Sequence, residues 1–251
     1  MKRFTTMLLP LLLPACIGSV QRSARVPHPA VPNSTGQPMS SVADFSIGAS
    51  SVTDLVKPGV GDATQAVEVP GTQARAELRL RPTTNSFISL VHEHGFAGSS
   101  QKPDPTQATV GEGEVLGYGT TFGSSIATSS PNWRVGWVAE IMMWDVPYVE
   151  YQILEGGSYT YVEHGSDTVG TIGLGVSPSY KSGQFTAFGG VFARNHPTTQ
   201  RKEFGAILDN GGDVSEGPMN VLLDAGIAYD FTPTLTGSAI INQNVTANPV
   251  K

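Results

Sequence analysis

Long runs in which every second residue is apolar dominate this chain from residue 74 onward. The clearest covers 219–231, where one face carries Met219, Val221, Leu223, Ala225, Ile227, Tyr229 and Phe231. The stretches 74–81, 115–126 and 132–144 alternate in the same way. Because successive side chains of a strand point to opposite faces, alternation of this length predicts β-strands rather than helices.

Turn-forming residues separate these runs at RPTTN (81–85), SSPN (129–132), YKSGQ (180–184) and FTPT (231–234). They predict hairpins that pair 168–180 with 184–196 and 219–231 with 235–245. The predicted fold is therefore all-β: an antiparallel β-barrel of about eight to ten strands over residues 74–251. Residues 40–73 are left without an assignment, apart from a candidate first strand in SVADFSIGAS.

Strand length bears on whether this barrel spans a membrane. Strands of soluble sandwiches usually have about 5–6 residues, whereas membrane-spanning strands need about 9–11. The runs here reach 13 residues, and aromatic residues gather near their ends, as in the interfacial girdles of membrane barrels. Those aromatics are Trp133, Trp144, Tyr148, Tyr180, Tyr229 and Phe231. A transmembrane barrel is the prediction, and a soluble lipid-anchored β-sandwich or lipocalin-like barrel is the alternative.

Charged residues alternate with the apolar ones and so share the opposite faces of the strands. In a barrel they would be candidates to line the lumen, and in a sandwich they would form a solvated face. They are Arg75, Glu77, Arg79, Arg81, Arg134, Glu140, Asp224 and Asp230.

The amino-terminal segment has the organisation of an export signal. Lys2 and Arg3 precede an apolar stretch from Phe4 to Leu13, which is within the ~7–15 residues of a signal peptide and too short to span a membrane. Cys16 follows, and it is the only cysteine in the chain. A disulfide partner, a cluster of zinc ligands and a fixed activating base are all missing around it.

Leu13-Pro14-Ala15-Cys16 resembles the lipobox of bacterial lipoprotein signal peptides. The resemblance implies a leader over 1–15, cleavage before Cys16, and a covalent diacylglycerol and an acyl chain such as palmitate on that residue. It also implies lipoprotein-processing and envelope-sorting machinery as partners, and membrane lipid as the anchor. Ile17 resembles the residue at this place in cargo sent to the outer membrane. Residues 16–39, rich in Pro, Ser and Gly, would form a flexible tether.

Two predicted hairpins resemble those of small outer-membrane β-barrel proteins in the spacing of their strands and turns. They are GLGVSPSYKSGQFTAFGGVFA and GIAYDFTPTLTGSAI. The function expected from both resemblances is an outer-membrane lipoprotein with a structural or envelope-associated role. The alternative is a lipid-anchored soluble domain that binds an apolar ligand or a partner protein.

Composition and motifs narrow the remaining classes of function. Loss of Lys2 and Arg3 with the leader lowers Lys+Arg from 15 to 13 against 21 acids, a net charge of −8, which argues against nucleic-acid binding. His92 and His94 would share one face of a strand and are a weak candidate metal pair without a third ligand. No catalytic constellation stands out, so we expect no enzyme activity, no cofactor and no metal.

Overall fold

The computed structural model describes residues 20–25, 27, 42–51, 65–68, 71–96, 113–153, 159–195 and 219–245. Within these ranges the chain forms strands and no helix, so the predicted all-β class is confirmed. The strands are β1 (Val20–Arg25), β2 (Ala43–Ser51), β3 (Gln65–Glu68), β4 (Thr72–Thr83), β5 (Ser86–Phe96), β6 (Val115–Ala127), β7 (Trp133–Ile153), β8 (Tyr159–Ser182), β9 (Phe185–Asn195), β10 (Met219–Thr232) and β11 (Leu235–Asn244).

A search of the described residues for a helix long and apolar enough to cross a membrane finds none. The predicted leader (1–15), Cys16 and most of the predicted tether lie outside the described ranges.

Nine strands form one antiparallel sheet in the order β11-β10-β9-β8-β7-β6-β5-β4-β2. The sheet curls into a half-barrel. Both predicted hairpins are present, as β8 with β9 and β10 with β11. The nine strands of this path fall within the predicted eight to ten.

The two ends of the strands carry different connections. Four short ones, at 84–85, 128–132, 183–184 and 233–234, lie at one edge, which we call the turn rim. Gly183 has φ +59° there, a left-handed conformation that suits glycine in a two-residue hairpin turn. We call the opposite edge the loop rim, because the longer connections 97–114 and 196–218 leave the strands there.

The segment predicted as a flexible tether contains a paired strand. β1 runs antiparallel to β7, with Val20 opposite Gln152 and Ala24 opposite Tyr148, and parallel to β3. Pairing with β7 over Val20–Ala24 and with β3 over Arg22–Arg25 holds this segment in an extended conformation, which a tether would not have. The prediction is therefore corrected for Val20–Arg25.

The long strands β7 and β8 extend past the loop rim. Pairing of β6 with β7 ends at Leu116 opposite Asp145, whereas pairing of β7 with β8 continues to Ile153 opposite Tyr159. β1 takes the place of β6 along this extension. We call the assembly of β1, β3 and the ends of β7 and β8 the extension.

The two faces of the curled sheet differ in chemistry. Outward positions carry large apolar side chains that are 36–75% exposed. They are Phe45, Ile47, Leu78, Leu80, Ile88, Leu90, Tyr118, Phe122, Ile126, Trp137, Ile141, Ile172, Leu174, Val176, Val191, Leu223 and Ile227. Inward positions on the central strands are buried, and many of them are polar or charged.

Candidate functional site: an ion-paired interior

Six charged side chains meet on the inward face of the half-barrel. We call them the interior ion cluster, and they comprise Arg75, Glu77 and Arg79 of β4, Glu93 of β5, Glu140 of β7 and Arg194 of β9. Three guanidinium groups face three carboxylates, so the cluster has no formal net charge. The alternation of each strand places these residues inward, and the curl of the sheet brings the strands close enough for contact.

Glu140 is the centre of the cluster. Its Oε2 accepts a hydrogen bond of 2.9 Å from Nη1 of Arg75, three strands away, and its Oε1 accepts one of 3.1 Å from Nη1 of Arg194, two strands away. The Glu140 side chain is fully buried, and that of Arg194 is 2% exposed. One carboxylate therefore ties β4, β7 and β9 together across the interior.

Glu93 and Glu77 complete the partners of Arg75. Arg75 donates to Glu93, which lies directly opposite it in the pairing of β4 with β5 and is fully buried. Glu93 also accepts from the amide of Gln73. Nε of Arg75 lies 3.4 Å from Oε2 of Glu77. Each carboxylate thus has a cationic partner, as buried charges require.

Arg79 closes the turn-rim side of the cluster. Its Nε and Nη2 donate to the two oxygens of Glu77 at 2.7 and 3.2 Å, a two-point contact that fixes both side chains. Thr121 donates to the same carboxylate at 3.1 Å. The Arg79 guanidinium also lies 4.9 Å from the centre of the Phe87 ring.

Apolar clusters border these charges on two sides. Towards the loop rim, Trp144 packs with its neighbours, donates from Nε1 to Thr171 at 2.9 Å, and lies 5.7 Å from the Arg194 guanidinium. That cluster comprises Val91, Val115, Met142, Trp144, Val146 and Val169, with Tyr148 packed against it. Towards the turn rim, Phe192 packs with Val138, Leu222 and Phe87. Side chains thus occupy the interior both at the charges and on either side of them.

Two of the predicted girdle aromatics belong to this interior and not to the outer surface. Trp144 is fully buried on the inward face, and Tyr148 packs against the same cluster. Gly117 lies opposite Trp144, and a Cβ there would come within 2.5 Å of its ring. The absence of a side chain at Gly117 makes room for the indole, so the girdle prediction is wrong for these two residues.

The predicted lumen-facing charges divide into two groups. Arg75, Glu77, Arg79 and Glu140 enter the cluster. The others share the inward face: Arg81, Arg134, Asp224 and Asp230. Of these, Asp230 accepts from Lys181 at 2.8 Å near the turn rim.

Arg134 and Asp224 have different surroundings from the cluster. Arg134 donates to Asn85 at 3.1 Å and to Ser125 at 3.3 Å, close to the turn rim. Asp224 lies half-way along β10, and among the described residues it forms no ion pair. These two residues therefore do not add to the central network.

Glu93 and Arg194 are members of the interior ion cluster that the sequence interpretation missed. Glu93 shares its face with Ser89 and Val91, and the register sets it opposite Arg75. In the sequence it lies between His92 and His94, which are on the opposite face of β5. Arg194 alternates with Phe192 on β9, but nothing local signals its partner on β7.

His92 and His94 share one face of β5, as predicted, and this is the outward face, where each contacts a neighbouring residue. The His92 ring stacks on Tyr118 with centroids 4.7 Å apart, and its Nδ1 is 3.1 Å from the carbonyl oxygen of Gly117. Nε2 of His94 lies 2.6 Å from Glu114. No group of three or more His, Cys, Asp and Glu side chains suited to a metal occurs in the described part of the chain.

The interior is thus a charge-balanced network between apolar clusters, and its chemistry is that of a structural core. No family model, curated protein or solved structure matches this chain.

Proposed function

We propose that this chain is a bacterial outer-membrane lipoprotein whose curled sheet spans the membrane and serves a structural or envelope-associated role without catalysis. One observation carries the proposal: the outward face is an exposed apolar band, whereas the buried inward face holds an ion-paired cluster between two apolar ones. A soluble β-domain has the opposite arrangement, with apolar side chains inside.

The outward positions of the central strands carry no Asp, Glu, Lys or Arg over the height of the sheet. On β7 the outward positions from Trp133 to Met143 carry no Asp, Glu, Lys or Arg, and the first acid is Asp145. Ten residue steps of about 3.4 Å, tilted by roughly 40°, give a band about 26 Å tall, close to the ~25 Å of membrane barrels. The band therefore has the height that the hydrocarbon core requires.

Aromatic side chains mark the turn-rim edge of this band. The Trp133 and Tyr180 rings pack with centroids 5.3 Å apart, and those of Tyr229 and Phe231 are 5.1 Å apart. All four are on the outward face, at hairpin ends. Such amphipathic rings are typical of the level at which lipid headgroups meet hydrocarbon. They support the same orientation of the sheet, with its strands crossing the bilayer.

The filled interior favours a structural role over transport. Narrow barrels of about eight strands are filled by their own side chains. In this chain the ion cluster and the two apolar clusters occupy the inward face from β4 to β10. We propose no diffusion path through it.

The anchor follows from the leader. The proposal includes cleavage after residue 15 and attachment of diacylglycerol and an acyl chain to Cys16 by the lipoprotein-processing machinery. Several chains are needed for a lasting anchor, since a single chain binds reversibly. Envelope-sorting machinery and membrane lipid are the remaining proposed partners.

A second function is favoured by the two edges of the sheet. Among the described residues β2 pairs only with β4, and β11 pairs only with β10. Open edges are not tolerated in hydrocarbon, because their backbone groups lack partners there. In the second candidate the protein is a lipid-anchored soluble domain that covers its outward face with an apolar ligand or a partner protein.

Expression of the full chain in a Gram-negative host separates the two functions. A membrane-spanning sheet is expected to remain with the outer-membrane fraction after a Cys16→Ala substitution, and to migrate differently on gels before and after heating. The purified Cys16→Ala chain should aggregate in buffer and fold in detergent micelles. A monodisperse β-rich monomer in plain buffer would rule out the spanning sheet. Mass analysis of the amino-terminal peptide of the wild type tests lipidation independently.

A further inference from the structure

The position of β1 determines where the amino terminus lies relative to the membrane. β1 pairs with the part of β7 that extends beyond the loop rim, and it runs towards the sheet, so Val20 is the end farthest from it. Arg25, at the other end, is 2% exposed and donates to the carbonyl oxygen of Gly113, two residues before β6 begins at Val115. Backbone pairing and a buried side-chain contact therefore both hold this strand at the loop rim.

The distance from Val20 to the turn rim exceeds the reach of Cys16. Nineteen residue steps along β7 lead from Trp133 at the turn rim to Gln152, the partner of Val20. At about 3.4 Å per residue this is ~65 Å along the strand. Cys16 precedes Val20 by four residues, which span at most ~14 Å. A lipid on Cys16 cannot reach the membrane surface on the turn-rim side while β1 is paired.

The connections at the two rims set the orientation of a membrane-spanning sheet. Bacterial outer-membrane barrels place short turns in the periplasm and long loops outside the cell. Here the four short turns share one rim, and the connections of 18 and 23 residues leave the other. The loop rim, with β1 and the extension, would then face the exterior.

We infer that the lipidated amino terminus lies on the exterior side of the membrane, on the same side as the long loops, with its acyl chains in the outer leaflet. The inference rests on the proposed function, since it requires both the spanning sheet and the lipid on Cys16. Val42, the next described residue after Pro27, lies near the turn rim, where its carbonyl oxygen accepts from the backbone amide of Arg81.

Docking of β1 is tested with paired cysteines in the full chain. Cys16 is the only native cysteine and is blocked when lipidated, so an engineered pair reports without interference. Ser23→Cys with Val149→Cys joins two directly opposed residues, whose Cβ separation of about 4.5–5.5 Å is near disulfide range. A disulfide-dependent gel shift is expected for this pair and not for Ser23→Cys with Thr234→Cys. Failure of the first pair to cross-link would overturn the docking.

Sidedness is tested with a membrane-impermeant maleimide on intact cells. Gln21→Cys on β1 and His164→Cys, an exposed position on the extension, should both react in intact cells. Thr234→Cys at the turn rim should react only after permeabilisation. If Gln21→Cys reacts only after permeabilisation while His164→Cys reacts in intact cells, the inference is wrong. If Gln21→Cys does not react even in permeabilised cells, Ser19→Cys is tested in its place. Its reaction in intact cells would support the inference, and reaction only after permeabilisation would contradict it.

The outcomes that would contradict the proposed function differ from those that would contradict this inference. Labelling of wild-type Cys16 would show that it is not lipidated, and recovery of the unlipidated protein in the soluble fraction would show that the sheet does not span the membrane. Reaction of Thr234→Cys in intact cells, with His164→Cys protected, would show a spanning sheet of reversed orientation and would overturn the exterior placement.

Discussion

The outward and inward faces of this sheet have opposite relations between polarity and exposure. Leu174 on the outward face is 60% exposed, whereas Glu140 on the inward face is fully buried. Burial of a charge is costly unless it is paired, and exposure of apolar surface on this scale is costly in water. The two faces are compatible with one another when lipid covers the outside and the inward charges neutralise each other.

The largest expected effect comes from breaking the interior network at its centre. Glu140→Gln removes the carboxylate that Arg75 and Arg194 share, and leaves both guanidinium groups with less compensation in a buried site. Loss of one partner of a buried ion pair costs about 3–5 kcal/mol. Urea unfolding in detergent micelles or vesicles, followed by far-UV circular dichroism or heat-modifiable migration, measures it.

Asp230→Asn is the matched control for Glu140→Gln, because it makes the same chemical change in an ion pair near the turn rim. If Glu140→Gln lowers the free energy of unfolding no more than Asp230→Asn does, the network does not stabilise the interior.

The outward face is tested by one charge at its mid-height. Leu174→Arg is expected to destabilise the protein by about 2–4 kcal/mol in vesicles if lipid covers this face. In water the same exposed substitution would change stability by less than ~0.5 kcal/mol. Thr234→Arg at the turn rim is the control, with an expected effect of about 0–1 kcal/mol. Equal effects at both positions would favour the soluble domain.

The next largest loss of stability is expected from replacing a glycine of the inward face by alanine. A Cβ on Gly175 would lie 2.6 Å from the Phe192 ring and 3.0 Å from the carbonyl oxygen of Val191. Gly175→Ala therefore forces a shift in the packed interior, with an expected cost of about 1–3 kcal/mol. Gly48→Ala on the edge strand β2 meets nothing within 4 Å, so it is the control. The difference in unfolding midpoint measures how tightly the interior is packed.

The smallest effect is expected at the turn rim. Nζ of Lys181 lies 2.8 Å from Oδ2 of Asp230, and the two side chains are 41% and 30% exposed. Exposed pairs of this kind contribute about 0–1 kcal/mol, and less at high salt. Lys181→Met should therefore change stability much less than Glu140→Gln, and raising the salt concentration should remove the difference from wild type. A loss of stability as large as that from Glu140→Gln would mean that the buried and the exposed ion pairs stabilise the protein equally.

The sequence by itself determined the class of the fold, the hairpins, and the face on which most strand residues lie. The reason is local: alternation is read within one strand, and a turn is read within a few residues. Leu78 and Arg75 could thus be placed on opposite faces of one strand before any strand was paired. The same local reading mistook Trp144 for a girdle residue, because its position depends on the absence of a side chain at Gly117 on the neighbouring strand.

Only the tertiary structure decided which charges meet. Arg75 and Glu140 are 65 residues apart, and their contact depends on the register of three strand pairs and on the curl of the sheet. The docking of β1 on β7 is equally non-local, since a Pro- and Ser-rich segment gains its strand conformation from the backbone groups that the longer β7 offers beyond β6. Alternation fixes the face of a side chain, whereas register and curvature fix its partner.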